Sequence, residues 1–162
     1  MVMSRGLFLL VLAVGLLTVQ ANPASPFRCP TKLKVSEEFT YASSVFLGEA
    51  IAQEYKSKLA ATADKSKGGS ILVIKFKVET WWKGSGAKEI EMYTAEVKQP
   101  DGTIISESED YPFRVGEKYL VYAVERDRHL TTGKCRRTAR KEQAKEDLLE
   151  LGKGWVPSQK SG

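Results

Sequence analysis

The stretch ILVIKFKVETWW, Ile71 to Trp82, restricts the fold of this chain more than any other. Ile74, Phe76, Val78, Thr80 and Trp82 fall on one face of an extended strand, and Lys75, Lys77, Glu79 and Trp81 on the other. Successive side chains of a strand alternate in direction, so a period of two reads as a half-buried strand. On this pattern Trp82 continues the core face and Trp81 shares the polar one. The following KGSG ends the strand with turn residues.

Other segments carry the same signature. SVFLGEAIAQEY, from Ser44, reads as a strand with Gly48 inside an apolar run, and a glycine there marks a bulge or sharp bend. EIEMYTA alternates again, with Ile90, Met92 and Thr94 opposite Glu91 and Tyr93. GEKYLVYAVE is apolar on both faces and therefore reads as central, with HLTTGKC as a short strand paired to it. A short helix is predicted from an N-cap at Ser36, followed by Glu37 and Glu38. A second is predicted over TARKEQAKEDLLELG, where Ala144, Leu148 and Leu151 form a stripe and Gly152 stands as C-cap. Lys56 to Ser70 reads as a flexible connection. EVKQPDGTIISESEDYPF reads as a polar loop with a turn at Pro100–Asp101–Gly102 and an acidic patch at Glu107, Glu109 and Asp110. Five short strands, a bend-marking glycine and flanking helices predict an all-β chain, specifically a five-stranded OB-type Greek-key barrel with a C-terminal helix.

At the N-terminus, Arg5, the apolar run Leu7 to Val19 and the small-x-small VQA read as a secretory signal peptide cut between Ala21 and Asn22. The run is too short for the ~20 residues a spanning helix needs. Removing this 21-residue leader from 162 residues leaves 141, enough for one modest domain, and lowers the formal charge from +5 to +4. The expected organisation is a leader over 1–21, an extended segment over 22–35, one domain over 36–152 and a loose tail over 153–162. The expected location is outside the cell, or the periplasm in a bacterium. Mild basicity in an exported chain does not call for nucleic acid, and no membrane partner is expected after cleavage.

Export also places Cys29 and Cys135 where disulfides persist. PFR ahead of Cys29 is not a lipobox, and a nucleophilic cysteine needs a histidine to activate it. His129 is the sole histidine, and two cysteines with one histidine are too few for a zinc site. The pair is expected as a disulfide. A loop of about 100 residues closed in this way contributes up to ~4–5 kcal/mol in the chain-entropy model. The carboxylates lie in helix and loop runs without a paired partner, and no phosphate-binding glycine motif is present. No enzymatic activity, catalytic residue, metal or cofactor is expected.

From Val45 to Gly152 the chain resembles the netrin-like module shared by the tissue inhibitors of metalloproteinases and their small relatives. ASSVFLGEAI resembles the family's A-D-x-V-F-x-G-x-V strand. FKVETWWKG resembles its F-x-V-x-x-x-W-K-G, with Trp82, Lys83 and Gly84 on the motif. FRVGEKYLVYA, from Phe113 to Ala123, resembles its F-x-x-G-x-x-Y-L-V-Y-A. LTTGKCRRT and AKEDLLELG resemble its closing cysteine segment and helix. The resemblance implies an OB-type barrel stapled to its N-terminal segment by disulfides. In inhibitory members it implies a Cys-x-Cys start whose first α-amino group and carbonyl chelate the protease zinc. Here Phe27 stands in the first cysteine's place and ESEDYPF lacks that cysteine's partner, whereas the second pair matches Cys29 and Cys135.

The expected function is a secreted netrin-like binding module that engages an extracellular protein or a sulfated or acidic polymer. The alternative is a metalloproteinase inhibitor acting at the catalytic zinc, weakened by the missing first cysteine. Trp81 beside Lys75 and Lys77 offers a flat aromatic flanked by cations, as binding surfaces use. Arg136 and Arg137, within the run Lys134, Arg136, Arg137, Arg140 and Lys141, are the candidate polyanion contacts. A solvated helix face balanced by Glu142, Glu146, Asp147 and Glu150 is the competing reading of that run.

Overall fold

Two long antiparallel strands, β1 (Ser44–Ser57) and β2 (Ser70–Lys83), organise the structure, a computed structural model that describes Cys29, residues 31–57 and residues 69–158. The predicted leader, Phe27, most of the predicted connection and the last four residues lie outside the described residues. All five predicted strands are present: β3 (Glu89–Lys98), β5 (Lys118–Arg126) and β6 (His129–Thr131) join β1 and β2. Two short strands accompany them. β4 (Ile104–Ile105) forms inside the predicted polar loop and pairs with β3, and β7 (Ala139–Arg140) pairs with β5.

The sheet closes on itself. Its order runs β1, β2, β3, β6, β5, and β5 then pairs with β1 along Ser44 to Glu49. Every junction of this five-stranded ring is antiparallel except β3–β6, which meet in parallel through the pair Met92 and Leu130 alone. The inside of the ring is an apolar cluster around Phe46, Phe76, Trp81, Met92, Tyr119 and Val121. A second cluster, on the outer face, joins Val45, Leu120 and Tyr122 to two short helices, α1 (Val35–Tyr41) and α2 (Lys145–Leu151). Strand β5 therefore buries both faces, Tyr119 and Val121 inward and Leu120 and Tyr122 toward the helices, as its uniformly apolar sequence predicts.

The two tryptophans exchange the fates that alternation assigns them. Trp81 is fully buried inside the ring, where its indole N–H donates to the Ala87 carbonyl at 2.9 Å and its ring lies 5.2 Å from Phe46. Trp82 is half-buried on the outer face, packs against α2 and donates to the Gly152 carbonyl. The cause is a bulge. Gly48 pairs with Val78 and Leu47 with Thr80, so Glu79 is an extra residue in β2. One inserted residue inverts the facing of everything beyond it. Gly84 completes the arrangement: its φ is +127°, and a Cβ there would sit 2.5 Å from the Trp81 ring.

Both helices depart from the predicted bounds. α1 begins at Val35 rather than after Ser36, because the Lys34 amide N–H donates to the Glu37 carboxylate at 2.9 Å. The predicted long C-terminal helix is divided into β7, a 3-10 turn over Lys141–Gln143 and the seven residues of α2. Its apolar stripe and its C-cap hold: Ala144, Leu148 and Leu151 face the outer cluster, and Gly152 has φ +64°. Within the predicted tail one residue meets the sheet. Trp155 exchanges two backbone hydrogen bonds with Trp81, each 2.8 Å, and so covers β2 where β3 has left its edge.

Candidate functional site

Cys29 and Cys135 form the predicted disulfide, with Cα atoms 5.1 Å apart. The two residues after Cys135 are arginines, and each reaches a different helix. Arg136 donates through Nη1 to Glu38 Oε1 of α1 at 2.7 Å, and its guanidinium lies 4.4 Å from the Tyr41 ring centroid. Arg137 donates from Nε and Nη2 to both oxygens of Asp147 on α2, and from Nη1 to the Leu33 carbonyl at 2.9 Å. Tyr122 donates its phenol to Asp147 as well, at 3.0 Å. Glu38 and Asp147 are both buried. A buried carboxylate needs a charged partner with matching geometry, and the planar guanidinium fork supplies it. Burial, and then the charge of Asp147, push the Tyr122 phenol far above its ordinary range, so it stays a neutral donor. The carboxylate in turn raises Arg137.

The effect is to tie down the chain on the way into α1. The disulfide fixes Cys29, and the Arg137 Nη1 hydrogen bond to the Leu33 carbonyl fixes the strip of residues 31–34, all four of which are exposed. Leu33 leaves 42% of its surface in solvent and Tyr41 leaves 64%. Leu33 is thus an exposed apolar side chain that makes no core contact, while Tyr41 offers solvent the part of its ring that the Arg136 guanidinium leaves open.

A cleft of about 240 Å³ is lined by Cys135 and Arg136 together with Glu107, Glu109 and Asp110. It marks the seam where β3 and β6 share only one pair. Asp110 fills that seam: both carboxylate oxygens accept from the Ala95 N–H, at 3.0 and 3.1 Å, while its backbone bridges Gly133. Gly133 permits this approach, since a Cβ there would meet the Glu109 carbonyl at 2.9 Å. Burial pushes the Asp110 carboxyl above its ordinary range, against the Ala95 hydrogen bond that lowers it. At the rim, Tyr93 and His129 stack with ring centroids 4.0 Å apart.

Of the residues singled out from sequence, Cys29, Cys135 and Arg136 come together here. Arg137 lies directly behind them, bound to Asp147. Trp81 is no surface contact, being enclosed in the ring, so it is not beside Lys75 and Lys77 on an open face. Lys75 instead pairs with Glu89 at 2.6 Å, and Lys77 is exposed. The three remaining cations of the run are also engaged: Lys134 with the Ser108 carbonyl, Arg140 with Glu117, and Lys141 with Glu79 at 3.9 Å. Sequence reasoning missed Leu33 and Tyr41. Asp147 was visible as one of the acids balancing the cationic run, and it pairs with Arg137. Glu38 was visible only as an acid near a helix start, and nothing local links it to an arginine 98 positions away.

Among the described residues, no group of three or more His, Cys, Asp or Glu side chains is arranged to hold a metal ion. No described helix is long and apolar enough to cross a membrane. Neither the protein-family models nor the curated proteins compared with the chain include a match to it. The fold and site thus define a mostly β-sheet chain whose five-stranded ring carries a disulfide-fastened, exposed N-terminal strip.

Proposed function

We propose that the chain is a secreted netrin-like module of OB type that engages an extracellular protein through its fastened N-terminal strip. The strand order supports the fold assignment. Around the ring β5 lies beside β1, followed by β2 and β3, which is the 4-1-2-3 arrangement of a Greek key, and β6 closes the gap. The disulfide and the predicted leader both fit an oxidising, extracellular setting.

One observation carries the functional reading: residues 31–34 are exposed throughout while the Leu33 carbonyl is held by Arg137 and Cys29, just upstream, by the disulfide. A segment already ordered before binding loses little conformational entropy when a partner docks, so its contacts translate into affinity. A protein partner is favoured over a polyanion because Arg136 and Arg137, the intended anion contacts, are occupied by Glu38 and Asp147. A zinc metalloproteinase is one partner of the right kind, since an inhibitor must present such a strip to the protease cleft. Phe27, standing where the first chelating cysteine would be, argues against contact with the zinc itself.

The test is binding of the disulfide-bonded mature protein to a panel of purified extracellular proteins that includes metalloproteinase catalytic domains. Leu33→Asp and Tyr41→Ala are run alongside. Leu33 is largely exposed, so its variant should keep a thermal midpoint close to that of the wild type. Tyr41→Ala also removes the Arg136 stack and should lose about 0.5–1 kcal/mol. Affinity for a true partner should fall about tenfold or more in each. Partner binding indifferent to both changes would overturn the strip as the site. Salt-sensitive retention on heparin, with no protein bound, would replace the reading with a polyanion-binding one.

A further inference from the structure

A second cleft, of about 520 Å³, opens on the other side of Asp110, between the β1–β2 pair and the loop leading to Phe113. Its volume lies in the range of small-molecule sites, and the mouth of a closed sheet is a usual place for one. Ile74 and Phe113 are buried at its floor, and the Gln53 side-chain amide donates to the Phe113 carbonyl at 2.8 Å, fixing that wall. Three aromatic rings line it, Tyr55, Tyr111 and Phe113, and the last two pack with centroids 4.8 Å apart.

Three carboxylates share this lining: Glu96, Glu107 and Asp110. Among the described residues none of them is in an ion pair. The one lysine of the lining, Lys134, donates its Nζ to the Ser108 carbonyl at 2.7 Å. Glu96 is oriented by the Tyr55 hydroxyl, which donates to it. The groups are close enough to act on one another: besides burial, the charges of Glu107 and Glu96 raise the Asp110 carboxyl. The cleft therefore combines an apolar floor, aromatic faces and a net negative rim.

We propose that this cleft binds a small organic cation, an ammonium or guanidinium group carried on an apolar body. The aromatic rings attract a cation through their quadrupoles, as Lys98 Nζ, 5.6 Å from the Tyr55 ring centroid, already shows at one of them. Tyr111 and Phe113 are left for the ligand, the unpaired carboxylates favour its charge, and the floor takes its hydrocarbon. This site is separate from the N-terminal strip and does not depend on the strip having a partner.

The experiment is an amide-resolved NMR titration of the disulfide-bonded mature protein with phenethylammonium. Two controls keep the same aromatic body: 2-phenylethanol, which is neutral, and 3-phenylpropionate, which is anionic. Saturable shifts at the Ala95, Phe113 and Lys134 amides are expected with the cation, about tenfold weaker binding with the alcohol, and none with the anion. In the double variant Glu96→Gln, Glu107→Gln the affinity for the cation should fall about tenfold. No saturable shift at those amides, an equal response to the anion, or an undiminished response in the double variant would each overturn the proposal. The cation-against-anion comparison uses the unmodified protein, so it decides the matter even if the variant folds poorly.

Discussion

Arg136 and Arg137 are neighbours in sequence but serve opposite helices, and their energetic weight lies in the carboxylates they satisfy. Removing the Arg137 guanidinium alone would strand Asp147, which is only 6% exposed. Arg137→Ala is expected to lose roughly 3 kcal/mol, whereas the apolar pair Arg137→Met, Asp147→Leu should recover most of it. Urea unfolding of Arg137→Met, of Asp147→Leu and of the two combined measures this coupling directly. Trp81→Ala should lose about 3–5 kcal/mol, because it empties a fully enclosed site. Trp155→Ala, at a site 45% exposed, should lose far less. If Trp81 instead lay on an open face, its variant would be nearly neutral. At this scale the sequence was a poor guide: Glu38 and Asp147 look like ordinary helix-surface acids, and only tertiary packing brings arginines to them.

The strands themselves were legible, since alternation is local and β1, β2, β3, β5 and β6 all form where the pattern places them. The bulge at Glu79 was not, because an inserted residue is defined by the partner strand, and β1 contacts it from outside the window of any local pattern. The β3–β6 seam was hidden for the same reason. Asp110 was visible as part of an acidic loop patch, yet its bond to Ala95 depends on the loop folding back. Asp110 also gives a pH signature. Its folded-state pKa is raised, so the stability linked to its proton is fully present below the unfolded value, about 3.9, and is lost as pH rises through the folded value. Asp110→Asn keeps an acceptor for Ala95 and carries no charge. Its stability relative to wild type should therefore increase between about pH 4 and pH 7, read as the difference between two denaturant curves at each pH. A difference that stays flat or shrinks over that interval would contradict the assignment.

On the scale of the whole molecule, one covalent bond and two guanidiniums hold the segment from Cys29 to Glu38 against the segment from Cys135 to Arg137. The disulfide spans 106 residues. Its removal in Cys29→Ser, Cys135→Ser should destabilise the protein by about 2–5 kcal/mol. The Arg136–Glu38 and Arg137–Leu33 contacts remain, so amide exchange over residues 31–34 should accelerate before global unfolding does. The cysteine count and the predicted export signal made this staple legible in advance, whereas the exposed strip that follows Cys29 became visible only with the fold. The most direct measurement is site-specific photo-crosslinking in extracellular fluid from the source of the protein, with the photoreactive residue at position 33 or 41 and, as control, at the exposed position 149. The expected result is a discrete adduct with an extracellular protein from positions 33 and 41, competed by excess unlabelled protein and absent from position 149. Equal labelling from all three positions, or none from 33 and 41, would contradict the N-terminal strip as the binding edge.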